Sequence, residues 1–101
     1  MKQLAINITN KPIEQLCRQY QIRELAVFGS VLSPEFRSES DVDVLVTFAP
    51  GCQYDLYDLA ELSKELEVIF SRPVDLIEKA ALKNPFRKKH ILENMEVIYA
   101  A

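Results

Sequence analysis

The chain has 101 residues, of which 49% are hydrophobic and 27% charged, and its formal net charge is −3. This length suits one compact domain, so we expect a single domain over residues 1–101, and the composition excludes a chain that is disordered throughout. The negative charge gives no general reason to expect nucleic-acid binding. No apolar run is long enough to cross a bilayer and the first residues lack the features of a signal peptide, so we expect a cytoplasmic protein.

Hydrophobic spacing and capping signals predict that helices and strands alternate along the chain. The predicted elements are a helix that opens at Asn10 and Pro12, strands at 25–28 and 41–48, a helix at 55–70, a strand at 73–77, a helix from Asn84 and Pro85 to about 94, and a strand at 95–99. This alternation predicts an α/β (α+β) fold, in which a mixed sheet is flanked by helices. The order of the strands in the sheet does not follow from the sequence.

Two aspartates at the start of the second predicted strand, Asp41 and Asp43, are candidate metal ligands. Side chains at positions i and i+2 of a strand point to the same face, roughly 7 Å apart, so both carboxylates can converge on one cation. Magnesium prefers oxygen ligands and is usually held by one or two carboxylates together with substrate phosphates. Val42 and Val44 would enter the core from the opposite face. The alternative is a pair of surface acids on a half-exposed strand.

Gly29 and Ser30 follow the first predicted strand and are candidate phosphate-binding residues. A glycine lets the backbone approach a ligand without a Cβ in the way. Exposed N–H groups at a turn or a helix start can bind phosphate oxygens, and the serine hydroxyl can add a hydrogen bond. A simple turn is the alternative, since a Gly-Ser pair is far more often only that.

A third candidate acid, Asp75, lies in the middle of the predicted strand at 73–77. If Val74 and Leu76 enter the core, Asp75 points to the other side of the sheet. Pairing of this strand with the one at 41–48 would then place it beside the first two aspartates. Three carboxylates around two metal ions suit phosphoryl transfer, and Asp75 could ligate the second ion or take a proton from the attacking hydroxyl. The alternative is a solvated aspartate at a sheet edge.

Together, these segments resemble the minimal nucleotidyltransferases of the DNA polymerase β superfamily. The motif is Gly29-Ser30, then ten residues, then Asp41-Val42-Asp43. Residues 73–77 resemble the later strand that carries a third acid in this family, and residues 84–92 and 97–99 resemble its closing helix and strand. The resemblance covers nearly the whole chain, and the combination is much more specific than any one part.

The resemblance implies a magnesium-dependent nucleotidyltransferase that uses ATP. Asp41 and Asp43 would hold two magnesium ions that bridge the triphosphate, and Asp75 would complete the second metal site and help to activate the acceptor. Gly29 and Ser30 would contact the phosphates. An acceptor hydroxyl would attack the α-phosphate in line, receive AMP and release pyrophosphate.

The resemblance also implies a partner protein. Small members of this family commonly pair with a HEPN-domain protein, a ribonuclease toxin, and can attach AMP to one of its tyrosines. The chain would then be the antitoxin of a toxin–antitoxin pair. One alternative is a catalytically inert binding module that neutralises the HEPN partner by contact, and another is transfer to a small molecule, which the short chain disfavours. The short chain also favours an acceptor supplied by a partner or an oligomer.

The chain departs from the family pattern at one basic position. Many relatives carry an Ala-Arg-Gly run after the Gly-Ser pair, whereas this chain has Leu32-Ser33-Pro34. Arg37 follows a few residues later, and we assign it to the phosphates in place of the missing arginine. The absent arginine puts the nucleotide affinity and the reaction rate in question but leaves the metal ligands in place.

Two further groups are predicted to have structural roles only. The basic run Arg87-Lys88-Lys89 and the neighbouring His90 are predicted to lie on the solvated surface of the last helix. Tyr54 and Tyr57, at the start of the helix at 55–70, are predicted to pack in the core, with contact to a partner as the alternative.

Overall fold

Four strands and three α-helices form the part of the chain that the structure, a computed structural model, describes, namely residues 10–34 and 40–101. In chain order they are α1 (Asn10–Gln19), β1 (Ile22–Phe28), β2 (Val42–Phe48), α2 (Leu56–Phe70), β3 (Val74–Glu78), α3 (Pro85–Asn94) and β4 (Glu96–Ala100). Short 3-10 turns follow β1 and β3. Each predicted helix and strand is present, and β1 begins three residues earlier than predicted. No helix in the described ranges has the length and apolar character needed to span a membrane.

The four strands form one mixed sheet in the order β3-β2-β1-β4. β1 runs antiparallel to both β2 and β4, whereas β2 and β3 are parallel. A parallel pair needs a crossover connection, and α2 supplies it. The predicted mixed sheet with flanking helices is therefore confirmed, and the structure adds the strand order that the sequence left open.

The two faces of the sheet carry separate apolar cores, because alternate side chains of each strand point to opposite faces. We call the larger one the main core. It lies between the sheet and the helices α1 and α2, and its buried residues are Ile13, Leu16, Cys17, Ile22, Leu25, Val27, Val31, Val42, Val44, Val46, Leu62, Leu66 and Phe70. The smaller one, the second core, lies beneath α3 and consists of Ala26, Phe28, Leu45, Leu82 and Ile91.

Side-chain caps fix where α2 and α3 begin. Asp55 and Asp58 form a capping box at the start of α2, in which each carboxylate accepts a hydrogen bond from the backbone N–H of the other residue, at 2.9 and 3.1 Å. Asn84 caps α3, since its side-chain oxygen accepts from the N–H groups of Phe86 and Arg87 at 3.0 and 3.1 Å. Such caps satisfy N–H groups that have no partner inside the helix.

Polar contacts hold β3 beside β2. The N–H of Val42 donates to the carbonyl of Pro73 at 2.9 Å, and the N–H of Val74 donates to the Glu67 carboxylate of α2 at 3.0 Å. At the other end of β3, the Tyr54 hydroxyl donates to the carboxylate of Glu78. The edge strand β3 is therefore fixed in register at both ends.

The prediction for the two tyrosines near α2 holds for one of them. Tyr54 is half-buried and stacks on Phe48, with 4.0 Å between the ring centroids. Tyr57 is 71% exposed, so its predicted core position is wrong. The apolar stripe of α2 runs through Leu62 and Leu66, and Tyr57 lies outside it.

Candidate active site

Asp43 and Asp75 lie side by side on neighbouring strands. The parallel register of β2 and β3 pairs Asp43 with Asp75, and adjacent strands are about 4.8 Å apart. Val42 and Val44 are buried in the main core and Val74 packs against it. Both carboxylates therefore point to the opposite face, as predicted. Asp43 is half-buried and Asp75 is exposed.

Asp41 stands directly before β2 and is exposed. It lies two positions before Asp43, so the two side chains share one face of the strand. The structure thus brings together the three aspartates that the sequence singled out.

Gly29 lies against the carboxylate of Asp43. Phe28, the last residue of β1, pairs with Asp43 in the antiparallel ladder, and Gly29 follows with a φ of +76°. A Cβ added at Gly29 would come within 2.3 Å of the Asp43 Oδ2 atom. Only glycine combines this left-handed backbone with the space that the carboxylate occupies.

Ser30 is exposed and lies next to the backbone before β2. Its hydroxyl donates to the carbonyl oxygen of Asp41 at 3.5 Å, which is the long limit for a hydrogen bond. The Gly-Ser turn and the acids are therefore neighbours, although their segments are separated by ten residues. Arg37, which we predicted to contact phosphates, lies outside the described residues.

The electrostatics of the cluster favour a bound cation. Burial raises the pKa of Asp43 above its ordinary value, and the negative charges of Asp75 and then Asp41 raise it further. The positive charge of Arg87 opposes these effects and lowers the pKa of Asp43. Since the ionised cluster repels itself, a cation between the carboxylates would offset that repulsion.

The three aspartates provide the type of ligand that magnesium usually has in proteins. All three candidate ligands are carboxylates, the hard oxygen donors that magnesium prefers. No three His, Cys, Asp or Glu side chains within 10–34 and 40–101 are already arranged around a common metal position. Magnesium normally takes only one or two protein carboxylates and fills its other positions with phosphates and water, so a closed three-ligand cage is not required.

Arg87 is the residue near the acids that sequence reasoning missed. Ile91 of α3 is buried in the second core, and Arg87 lies four positions before it, so both are on the face of α3 that meets the sheet. Arg87 is exposed, yet its charge reaches Asp43. Its spacing of four residues from the apolar Ile91 indicates that both residues lie on one face of the helix, and this is the sequence signal that could have predicted its position.

A cavity of about 410 Å³ lies toward the other end of β2. Its lining includes Thr47, Tyr54 and Lys88. Thr47 is on the same face of β2 as Asp43, but the buried side chain of Leu45 stands between them. The cavity is therefore separate from the acidic cluster.

Comparison with known proteins decides the family. The model of the family described as nucleotidyltransferase domain matches residues 10–98. This chain belongs to the nucleotidyltransferase family. It is 35% identical over 86 residues to the protein adenylyltransferase MntA of Thermococcus cleftensis, a match that covers 85% of this chain and 82% of that protein.

Solved structures agree with this assignment to the nucleotidyltransferases. A chain provisionally named a minimal nucleotidyltransferase is 31% identical, with a TM-score of 0.70 and coverage of 86% of both chains. A structure of a tri-AMPylated Shewanella oneidensis HEPN toxin in complex with its MNT antitoxin matches 91% of this chain and 70% of that chain, with a TM-score of 0.62 and 19% identity. At that identity the likeness shows the fold alone.

Proposed function

We propose that this nucleotidyltransferase is the antitoxin of a toxin–antitoxin pair and transfers AMP from ATP to a HEPN-domain toxin. The observation that carries the proposal is the pairing of Asp43 with Asp75 beside Gly29. The identity with a protein adenylyltransferase supports a protein as the acceptor. The reaction would take place in the cytoplasm, the location expected from the sequence.

The chain's own residues divide the work of binding ATP. Gly29 leaves room for the Asp43 carboxylate beside the turn, and the hydroxyl and N–H of Ser30 offer hydrogen bonds to phosphate oxygens. Asp41 and Asp43 would hold two magnesium ions, with Asp75 as a further ligand. When bound, magnesium would neutralise part of the negative charge on the triphosphate and on the departing pyrophosphate. Arg37 stays a predicted phosphate contact.

The transfer step needs a base next to the acceptor. The acceptor hydroxyl oxygen bonds to the α-phosphorus, and the bond from that phosphorus to the bridging oxygen breaks, so that pyrophosphate leaves with the electron pair. Asp75 takes the hydroxyl proton. Its exposure supports this role, because a residue of another protein can reach Asp75 more readily than the half-buried Asp43.

A purified HEPN partner, Mg²⁺ and ATP labelled at the α-phosphate test the proposal. We expect the wild type to label the partner and the double variant Asp41→Asn, Asp43→Asn to lose about 10³-fold in rate, because metal coordination contributes several kcal/mol. Chelation of the metal should stop labelling, and added Mg²⁺ should restore it.

The matched control removes two acids far from the cluster. Glu61 and Glu93 lie on α2 and α3 and each pairs with a lysine of its own helix, so Glu61→Gln with Glu93→Gln should label normally. Labelling by the double aspartate variant would show that the metal site is assigned wrongly. A wild type that blocks the partner's ribonuclease without labelling it would establish the alternative, an inert binding module.

A further inference from the structure

Binding of ATP next to the acidic cluster would bring negative charges together. Asp43 pairs with Asp75 and lies two positions after Asp41, so the ionised carboxylates repel one another, and the triphosphate of ATP adds several negative charges on the same side of the sheet. Bound magnesium offsets part of this charge. A fixed cation from the protein would offset more and would orient the phosphates as well.

The basic run of α3 sends its three side chains in different directions, since successive helical residues are about 100° apart. Lys88 is half-buried and lines the cavity at the far end of β2. Lys89 is 75% exposed and pairs with Glu93 along the helix at 4.0 Å. Arg87 shares the face of Ile91, which packs on the sheet. Ile91 is buried with Phe28, and Phe28 pairs with Asp43 in the sheet, so the face of α3 that carries Arg87 lies over the strands that carry the acids.

The backbone of Arg87 is held in place by its surroundings. Its N–H is held by the Asn84 cap at 3.1 Å, and Ile91 one turn later is buried with Leu45 and Phe28 of the sheet. The guanidinium group is thus carried on a helix whose start and packing are both set. Its side chain is nevertheless exposed, so a ligand at the acids can reach it.

We propose that Arg87 binds the phosphate chain of the nucleotide from the α3 side, opposite the Gly29–Ser30 turn. This inference deepens the proposed function and rests on it. Arginine suits the task because its planar guanidinium donates two parallel hydrogen bonds to phosphate oxygens, which a lysine cannot do.

Binding of a fluorescent, non-hydrolysable ATP analogue in the presence of Mg²⁺ tests the proposal without any acceptor. We expect Arg87→Ala to weaken binding by on the order of 10- to 100-fold, the range for losing charged hydrogen bonds. Arg87→Lys should fall between Arg87→Ala and the wild type. Lys89→Ala is the matched control, since it removes the same charge from the same helix, and its affinity should equal that of the wild type.

A second ligand locates the contact. Fluorescent adenosine lacks phosphates, so Arg87→Ala and the wild type should bind it equally. If Arg87→Ala binds the ATP analogue as tightly as Lys89→Ala does, with matching thermal melts, the inference is overturned. An equal loss of adenosine binding would overturn it too. A wild type that binds the analogue but never labels a partner refutes AMP transfer and leaves this inference to be decided by the binding data.

Discussion

The sheet face against α1 and α2 is closed, whereas the face beneath α3 is only partly covered. Within residues 10–34 and 40–101, thirteen buried residues form the main core on the first face, and five form the second core on the other. Side chains of β2 point to the two faces in alternation. Val42 and Val44 lie in the main core, whereas Leu45 lies in the second core and Asp43 is next to it on the same face. One strand thus contributes buried valines to one face of the sheet and the candidate metal ligand Asp43 to the other.

The difference between the two faces shows how a short chain accommodates a charged site. Burying three neighbouring carboxylates would cost far more than a domain of this size can offset. The main core provides most of the apolar burial, so the other face can leave Asp41 and Asp75 exposed. Substitutions on the two faces should therefore affect different properties.

The largest loss of stability should come from the closed face. Leu66 is fully buried in the main core, and Leu66→Ala should lower the free energy of unfolding by about 2–5 kcal/mol because it leaves a cavity. Val68 lies on the same helix and is 79% exposed. Val68→Ala should change the free energy of unfolding by no more than about 0.5 kcal/mol in urea titrations. Similar losses for both variants would show that α2 does not pack as described.

A smaller loss of stability, with a large loss of activity, should follow from Gly29→Ala. Both Gly29 and Gly51 have positive φ, so alanine at either should cost about 1 kcal/mol in the free energy of unfolding. At Gly51 the new methyl group meets nothing within 4 Å, whereas at Gly29 it collides with the Asp43 carboxylate.

AMP transfer should therefore fall about 10²-fold in Gly29→Ala, because displacing a reactive group by about 1 Å can have that effect. Gly51→Ala should transfer AMP at the normal rate. Transfer by Gly29→Ala at the rate of Gly51→Ala would mean that the position of Asp43 is not important for the reaction.

The smallest effect on stability should come from the acidic face. Asp43 has a raised pKa, so its ionised form is disfavoured in the folded state. Asp43→Asn should leave the free energy of unfolding unchanged at pH 7 or raise it by less than about 1 kcal/mol, since solvent screens much of the repulsion.

The sign of the pH dependence follows from the raised pKa. Protonation of Asp43 contributes to the stability of the folded protein, and this contribution is lost as the pH rises through the pKa that Asp43 has in the folded state. Any advantage of Asp43→Asn over the wild type should therefore shrink as the pH falls toward the ordinary aspartate value of 3.8. Urea titrations at pH 4 and pH 7 provide the comparison. A clear loss of stability in the variant at pH 7 would contradict it.

Much of the fold and part of the candidate site could be predicted from the sequence because the signals are local. Capping residues such as Asn84 and Asp55 mark helix starts, and the valines of β2 mark a buried strand. Period-two alternation by itself predicts that Asp43 and Asp75 point away from the core. The two aspartates become adjacent because β2 and β3 are neighbouring strands.

The remaining features depend on contacts between distant parts of the chain. The position of β4 beside β1 arises from a pairing across some seventy residues, which leaves no local signal. The predicted exposure of Arg87 is confirmed, but its place on the face of α3 that meets the sheet depends on how Ile91 packs, which no local pattern predicts. The core position predicted for Tyr57 is wrong because the buried stripe of α2 runs through Leu62, Leu66 and Phe70, and Tyr57 lies outside it.

The crossover helix α2 has a consequence for how the gene can vary. It spans 15 residues and delivers β3 in the one register that aligns Asp75 with Asp43. A slip of one residue would turn Asp75 inward and expose its apolar neighbours. Insertions and deletions among orthologues should therefore accumulate in the turn at 49–53 and be removed by selection between residues 56 and 78.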